Sequence, residues 1–96
     1  MKLPRLSHLQ ATVLATIGPS WMRGEEIRQQ CGLGRSTFYL LMKRLEGGSL
    51  VRGKYKLTFV RGWRAKEKSY RLTRGGSAEL KKVREFYRKL FLTTTT

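Results

Sequence analysis

The chain has 96 residues, the length of one domain with a single core. Its 21 lysines and arginines against 6 acidic residues give a formal charge of +15, and so much like charge on a compact body indicates an anionic partner. No stretch reaches the roughly 18 apolar residues of a membrane-spanning helix, and the amino terminus lacks the apolar region and cleavage site of a signal peptide. One cysteine and one histidine exclude an internal disulfide and a zinc site. We therefore expect a cytoplasmic protein with no metal, no cofactor and no membrane partner.

The first predicted helix runs from about Ser7 to Ile17. Ser7 and Gln10 have the spacing of a capping box, in which each side chain bonds the backbone amide of the other residue, and Gly18-Pro19 ends the helix. The apolar residues recur with the period of one helical face. We expect that face in the core: Leu6, Leu9, Val13, Leu14 and Ile17.

A short extended piece at residues 21–23 precedes the second predicted helix. Acidic residues in the first turn of that helix suit the positive end of its dipole. Ile27 and Cys31, four residues apart, form its buried stripe, and we expect Cys31 to be packed rather than reactive. A glycine-containing turn at residues 32–34 ends the helix.

The third predicted helix, residues 35–46, is amphipathic. Its apolar face consists of Phe38, Leu41, Met42 and Leu45. Turning by about 100° per residue away from that face gives the outer face, which consists of Ser36, Tyr39, Leu40, Lys43 and Arg44, with Arg35 and Thr37 near the start of the helix. Two short helices joined by a glycine-containing turn match a helix-turn-helix. Because the outer face is basic and free of acids, it predicts contact with double-stranded DNA rather than an ordinary solvated surface.

We expect the contacts to differ along this outer face. Residues 35–37 lie at the N-terminal end, where recognition helices reach base edges or the adjacent phosphates. Tyr39 can bond a phosphate or pack on a base, and Leu40 can touch thymine methyl groups or be buried at a protein contact. Lys43 and Arg44 lie further along, where phosphate contact is expected.

After residue 50 the apolar period changes from helical to two, which predicts strands. A half-buried strand is expected at Tyr55, Leu57 and Phe59, and a second strand at Tyr70 and Leu72. The basic loop between them, residues 61–68, completes a wing that we expect to lie over the DNA backbone or to enter the minor groove. Its candidate contacts are Arg61, Arg64, Lys66 and Lys68. Trp63 either stacks at the tip of the wing or covers the strands as core, and we favour core.

Thr73 is expected to cap a last helix. Leu80, Val83, Tyr87 and Leu90 repeat there at 3-4-3 spacing, which fits packing on the chain's own domain or a seam to a second copy. Because two-fold DNA sites favour two-fold proteins, we expect a homodimer. Residues 1–92 would then form a single domain with a dimerisation helix, and residues 93–96 a disordered tail.

Short blocks of sequence carry a family resemblance. They are Gly24-Glu25-Glu26-Ile27, Ser36-Thr37-Phe38-Tyr39, Lys43-Arg44-Leu45-Glu46, Leu50-Val51, and Tyr70-Arg71-Leu72-Thr73 with Gly75-Gly76. In order and spacing the chain resembles the PadR-like winged-helix transcriptional regulators over roughly residues 6–90. The resemblance implies an α+β, mainly α, winged helix-turn-helix with a three-helix core, a two-stranded β wing and a C-terminal helix. It also implies a dimeric bacterial or phage-type repressor. Larger relatives carry a longer C-terminal helical domain, so binding of a small-molecule effector stays open.

Two positions depart from the family pattern. Gly34 stands where such proteins often have a Ser or Thr helix cap, and Ser49 stands where Gly usually precedes the Leu-Val pair. We expect Gly48 to take the left-handed conformation in place of Ser49.

The function expected from the sequence is a sequence-specific regulator that binds double-stranded DNA, is nucleoid-associated and acts as a repressor. Catalysis has little support, since the lone histidine has no acid partner and the glycines at 32 and 34 lack the rest of a phosphate loop. One alternative is a basic architectural or RNA-associated protein that neutralises phosphates without reading sequence. Another is a protein-interaction module whose last helix docks an acidic partner. The helix-turn-helix disfavours duplex RNA, whose deep and narrow major groove excludes such a helix.

Overall fold

The change from helical to strand periodicity along the chain corresponds to a helical body that carries one small sheet. The computed structural model describes residues 6–94, with side chains for residues 6–90. In chain order the elements are α1 (His8–Ile17), β1 (Met22–Arg23), α2 (Gly24–Cys31), α3 (Arg35–Gly47), β2 (Val51–Val60), β3 (Trp63–Leu72) and α4 (Arg74–Thr94). The α+β, mainly α, architecture and the helix predicted at residues 35–46 are therefore confirmed.

The first three helices pack around one apolar core, which the base of the β2–β3 hairpin and α4 close. The most completely buried large side chains are Val13, Leu14, Ile27, Phe38, Met42, Leu45 and Tyr70. The ring of Phe38 meets Tyr70 edge-on with 6.3 Å between centroids, which links α3 to β3. Cys31 is half-buried, and its thiol donates to Thr16 Oγ1 at 3.5 Å. This cysteine is packed, as predicted.

The capping box of α1 is confirmed, but its buried face is shifted from the predicted one. Gln10 N donates to Ser7 Oγ at 3.1 Å, and Ser7 N donates to Gln10 Oε1 at 3.0 Å. Leu9 is 36% exposed, whereas Ala11 is 8% exposed. Because α4 packs on the Ala11 side of α1, the buried sector turns toward α4 and leaves Leu9 at its edge.

Arg28 holds the turn between α2 and α3. Its guanidinium donates to Glu25 Oε2 at 2.9 Å and to the carbonyl oxygen of Leu33 at 2.9 Å. Gly32 ends α2 with a left-handed φ of 66°, the conformation that glycine adopts without strain. The hydrogen bond from Arg28 is the main reason why the pKa of Glu25 lies below its usual value. The Arg28–Glu25 ion pair thus holds the turn that leads into α3.

The sheet has three antiparallel strands in the order β1-β3-β2, because the extended piece at residues 21–23 adds β1 beside the expected hairpin. Val60 pairs with Trp63, so the connection is only Arg61-Gly62, with φ values of 53° and 81°. Two positive φ values are typical of the tight hairpin turn that matches strand twist. The predicted loop over residues 61–68 is therefore wrong: Arg64, Lys66 and Lys68 belong to β3.

The outer half of the hairpin is exposed on both faces. The strand predicted at Tyr55, Leu57 and Phe59 is present as part of β2, but these residues are 66%, 62% and 73% exposed, so the half-burial predicted for them is wrong. Trp63 is 78% exposed, and the core position favoured for it is also wrong. The reason is the length of the hairpin: only its base, at Val51 and Tyr70, reaches the core.

The junction between α3 and the hairpin depends on backbone geometry. Ser49 itself takes the left-handed conformation with φ of 59°, while Gly48 has φ of −85°, so the expectation that Gly48 would replace it is wrong. Thr73 Oγ1 donates to the carbonyl oxygen of Ser49 at 2.6 Å and accepts from Gly76 N at 3.0 Å. Thr73 therefore caps α4, as predicted, and ties that helix to the junction.

The apolar residues predicted along α4 divide into two groups. Leu80 and Val83 are 7% and 4% exposed and belong to the chain's own core, whereas Tyr87 and Leu90 are each 39% exposed. The helix continues through Thr94, two residues into the predicted tail, and residues 95–96 lie outside the described residues. None of the helices in the described part of the chain combines the length and the apolarity that crossing a membrane requires.

Candidate nucleic-acid interface

The outer face of α3 is exposed along its whole length. The helical period that buries Phe38, Leu41, Met42 and Leu45 turns the intervening side chains away from the core. The seven residues predicted for this face are all exposed, namely Arg35, Ser36, Thr37, Tyr39, Leu40, Lys43 and Arg44. The structure thus brings together on one surface every α3 residue proposed from the sequence.

The N-terminal end of α3 is open. Gly34 occupies the cap position without a capping side chain, and a Cβ placed there would meet no atom within 4 Å. Backbone amides in the first turn of a helix lack intrahelical acceptors and carry the positive end of the helix dipole. Arg35, Ser36 and Thr37 therefore project from an end that is open to an approaching polar group.

Tyr39 is held in place while its ring stays half exposed. The hydroxyl donates to Glu25 Oε1 at 3.5 Å, and the ring lies edge-on to Phe38 with 5.5 Å between centroids. Glu25 is itself fixed by Arg28. The half-exposed ring can pack on a base. Because the hydroxyl has a single hydrogen, it would have to leave Glu25 in order to donate to a phosphate oxygen.

Lys68 lies at the base of the hairpin, where it pairs with Glu46 at the C-terminal end of α3. The Nζ–Oε1 distance is 2.7 Å, and Nζ also lies 5.1 Å and 5.3 Å from the ring centroids of Tyr55 and Tyr70. Burial acts to lower the pKa of Lys68, but the hydrogen bond with Glu46 and the neighbouring phenols raise it above its usual value. The structure thus places Lys68, a DNA contact predicted from the sequence, at the base of the hairpin with its ammonium paired to Glu46.

Gly53 provides the room for this pair. A Cβ on Gly53 would lie 2.6 Å from Lys68 Cε and 3.2 Å from Glu46 Oε1, closer than side chains normally approach. Glycine in a strand commonly marks such a close approach. Sequence reasoning missed the pair because Glu46 and Lys68 are 22 residues apart and nothing local couples them.

A concave groove separates α3 from the hairpin. Its lining residues are Tyr39, Lys43, Glu46, Tyr55, Lys66, Lys68 and Tyr70. The carboxylate of Glu46 is engaged by Lys68, so Lys43 and Lys66 give the groove its positive charge. A surface of this kind, basic and lined with phenols, suits a sugar-phosphate backbone.

The hairpin extends the groove as a ribbon of cross-strand pairs. Tyr55 opposes Lys68, Leu57 opposes Lys66, and Phe59 opposes Arg64, and opposed residues of an antiparallel pair share a face. This face, which we call the inner wing face, continues from the groove toward the turn at Arg61-Gly62. The alternation of basic residues at 64, 66 and 68 is the signal that could have revealed a strand.

The opposite face of the hairpin, which we call the reverse wing face, carries Lys54 and Arg71, basic residues that were not singled out from the sequence. Lys54 Nζ lies 4.4 Å from the centroid of the Trp21 ring, and the Arg71 guanidinium lies 5.1 Å from it. A cation that lies over an aromatic ring at a protein surface is attracted to the ring and stabilises the packing of the two side chains. Trp21 thereby anchors the base of the hairpin on the side away from α3.

Solved structures of similar fold are PadR-type regulators. A PadR family transcription regulator from a hypervirulent Clostridium difficile strain superposes with a TM-score of 0.78 at 22% identity, covering 93% of this chain and 96% of that one. A PadR-like transcription factor from Bacteroides fragilis gives 0.71 at 20% identity, covering 91% and 86%. Bacillus subtilis PadR in complex with operator DNA gives 0.65 at 18% identity, covering 93% of this chain and 60% of that one. A scan against protein-family models and a search of curated proteins found no match.

The similarity extends over more than nine-tenths of the chain in each of these structures. It includes the helix-turn-helix, the hairpin and the helix that follows. This chain therefore has the PadR-like winged helix-turn-helix fold.

Proposed function

We propose that this protein is a transcriptional regulator that binds double-stranded DNA, with α3 in the major groove and the β2–β3 hairpin along the adjacent backbone and minor groove. The observation that carries the proposal is the continuous surface formed by the acid-free outer face of α3, the basic groove and the inner wing face. An α-helix with its side chains is about 10–12 Å across, and the major groove is about 12 Å wide.

The position of each side chain suggests its role. Arg35, Ser36 and Thr37, at the open end of α3, would meet base edges or the nearest phosphates. Leu40, 55% exposed, would contact thymine methyl groups. Lys43, which lines the groove, would meet the backbone. Arg44, Arg61, Arg64 and Lys66 would add further phosphate contacts.

The comparisons add independent support. The similar structures are transcription regulators, and one of them was solved with operator DNA. This fold leads us to propose a DNA-binding protein rather than an enzyme. A protein of this kind would work in the cytoplasm at the nucleoid, and by occupying its site it would act as a repressor.

We also propose that α4 makes a two-fold homodimer. Tyr87 and Leu90 remain 39% exposed, and Tyr87 stands edge-on to His8 with 6.5 Å between ring centroids. A shallow, largely apolar groove between α1 and α4 runs beside them, lined in part by Ala11 and Ala15. The buried Leu80 and Val83 would support this surface rather than form the seam.

A second candidate is a basic architectural protein without sequence preference. It is favoured by exposed basic residues outside the proposed interface, at Arg74, Lys81, Arg84 and Arg88 on α4 and at Arg52 and Lys56 on the hairpin. Phosphate neutralisation alone would give affinity in that case.

Competition binding separates the two candidates. Duplexes would be selected from a random pool by the full chain, and the best sequence competed against random duplex at fixed salt. The regulator should prefer its site by about a thousandfold or more. A preference of about tenfold or less would overturn the regulator and favour the architectural protein.

A further inference from the structure

The end of the hairpin carries exposed apolar side chains on both of its faces. Leu57 is 62% exposed, Phe59 73%, Val60 57% and Trp63 78%. Large apolar side chains that cluster on a surface and lack cover commonly mark a binding site. The function proposed above uses the cations of the hairpin and leaves these side chains unexplained.

The strand register divides these residues between two faces. Tyr55 and Lys66 line the groove beside α3, and side chains alternate along a strand, so Leu57 and Phe59 lie on the inner wing face. Trp63 pairs with Val60, and both belong to the reverse wing face. Phe59 is therefore the apolar residue nearest the turn on the side that faces the proposed DNA.

The charge around the tip indicates the chemistry of its partner. From Val51 to Lys66 the chain contains no acidic residue. The turn residue Arg61 and Arg64, which is paired with Phe59, flank the apolar side chains. A partner that offers anionic groups on the outside and flat apolar groups between them matches this arrangement, and the stacked bases of a DNA duplex have that form.

We propose that Phe59, supported by Leu57, is a wedge that enters the minor groove beside the major groove occupied by α3 and partly unstacks one base step, so that the duplex bends. The inference rests on the proposed DNA-binding function. Apolar side chains inserted in this way bend a duplex by roughly 20–90° toward the major groove. The connection between the strands is only two residues long, so the turn and the side chains next to it are the part of the hairpin that would enter the minor groove, which is about 6 Å wide.

The experiment measures the bend directly. The full chain is bound to its selected duplex, which carries a fluorophore pair at its ends, and energy transfer reports the end-to-end distance. A second duplex carries 2-aminopurine in the minor groove contacted by the wing, where its fluorescence rises on unstacking. We expect both signals to change when the protein binds.

Three variants locate the wedge. Phe59→Ala should abolish most of both signals and weaken binding by about tenfold, the loss of one aromatic–base contact. Phe59→Leu should retain part of the bend, since leucine also serves as a wedge. Trp63→Ala, on the reverse wing face, is the matched control and should leave the bend unchanged. Phe59 is exposed, so its variants should keep the parent's melting temperature.

The wedge and the proposed DNA-binding function are tested by different outcomes. A duplex that is bound specifically but stays straight, or a bend that Phe59→Ala leaves intact, overturns the wedge alone. Loss of the bend in Trp63→Ala to the same degree also overturns it. Binding to vesicles of anionic phospholipid that depends on Phe59, without DNA bending, would identify a membrane as the partner instead. Absence of any sequence preference in the parent would overturn the proposed function itself.

Discussion

The ammonium of Lys68 lies 2.7 Å from the carboxylate of Glu46, and this ion pair joins the base of the hairpin to the end of α3. The side chains are 24% and 32% exposed, so the pair is only partly screened by water. It links the two elements of the proposed interface. It also places the one carboxylate of the groove where phosphates would approach.

Replacing Glu46 should change stability and DNA affinity in opposite directions. Glu46→Gln removes the ion pair, and we expect the free energy of unfolding to fall by about 1 kcal/mol. The same change removes a negative charge and releases Lys68, so affinity for duplex should rise by up to about tenfold at low salt. Urea unfolding and fluorescence anisotropy measure the two effects.

Glu79→Gln is the matched control for this variant. It removes the same charge from α4, where Glu79 pairs with Lys82 at 3.3 Å, outside the proposed interface. A gain in affinity of equal size in both variants would mean that only net charge matters and would contradict a role for the groove.

The ion pair in α2 predicts an acid-dependent loss of stability. The hydrogen bond from Arg28 lowers the pKa of Glu25 in the folded state, so the folded state binds fewer protons than the unfolded state. The stability that this ion pair contributes is therefore complete above the pKa of a glutamate in the unfolded chain, about 4.3. It is lost as the pH falls through the lower pKa of Glu25 in the folded state. Thermal melts between pH 7 and 3 should show a smaller acid-induced decrease for Glu25→Gln than for the parent. Parallel decreases in both proteins would contradict the assignment.

Adjacent glycines at the start of α4 should respond very differently to alanine. A Cβ on Gly76 would collide with the carbonyl oxygen of Leu50, whereas a Cβ on Gly75 would lie 3.5 Å from its nearest neighbour, the carbonyl oxygen of Ser49. Backbone cannot rotate away as a side chain can, so Gly76→Ala should cost about 2–4 kcal/mol of unfolding free energy. Gly75→Ala should be neutral or stabilise by up to about 1 kcal/mol through helix propensity.

Denaturant unfolding of both variants tests this difference. A Gly76→Ala protein as stable as the parent would show that Leu50 and α4 are not packed as closely as the structure has them.

The helices were predictable because each carries a regular apolar face. Phe38, Leu41, Met42 and Leu45 repeat at helical spacing, and that pattern alone turns Tyr39 and Lys43 outward. The N-caps of α1 and α4 were predictable for a similar reason, since their hydrogen bonds join residues only three apart.

The hairpin was less predictable because alternation identifies a face but not what covers it. Leu57 and Phe59 alternate with polar residues as a half-buried strand would, yet they are 62% and 73% exposed, and no element within residues 6–94 covers them. On β3 the alternating residues are basic, so the strand between Trp63 and Lys68 has no apolar signal. The register of β3 on β2 is set by the two-residue turn at Arg61-Gly62, which requires a positive φ at Arg61. Arginine is not a residue that indicates a turn of this kind. The left-handed conformation of Ser49 was also hard to predict, because the contact with Thr73 that holds it is distant in sequence.

The most direct test of the account is the salt dependence of duplex binding by Lys43→Ala compared with Lys81→Ala. Both lysines are exposed and both variants lose one charge, but only Lys43 lies in the groove beside α3. If the groove holds a DNA backbone, Lys43→Ala should weaken binding and reduce the slope of log K against log salt by about 0.9, one phosphate contact, while Lys81→Ala keeps the parent's slope. Identical slopes for Lys43→Ala and the parent would contradict the placement of DNA on this surface.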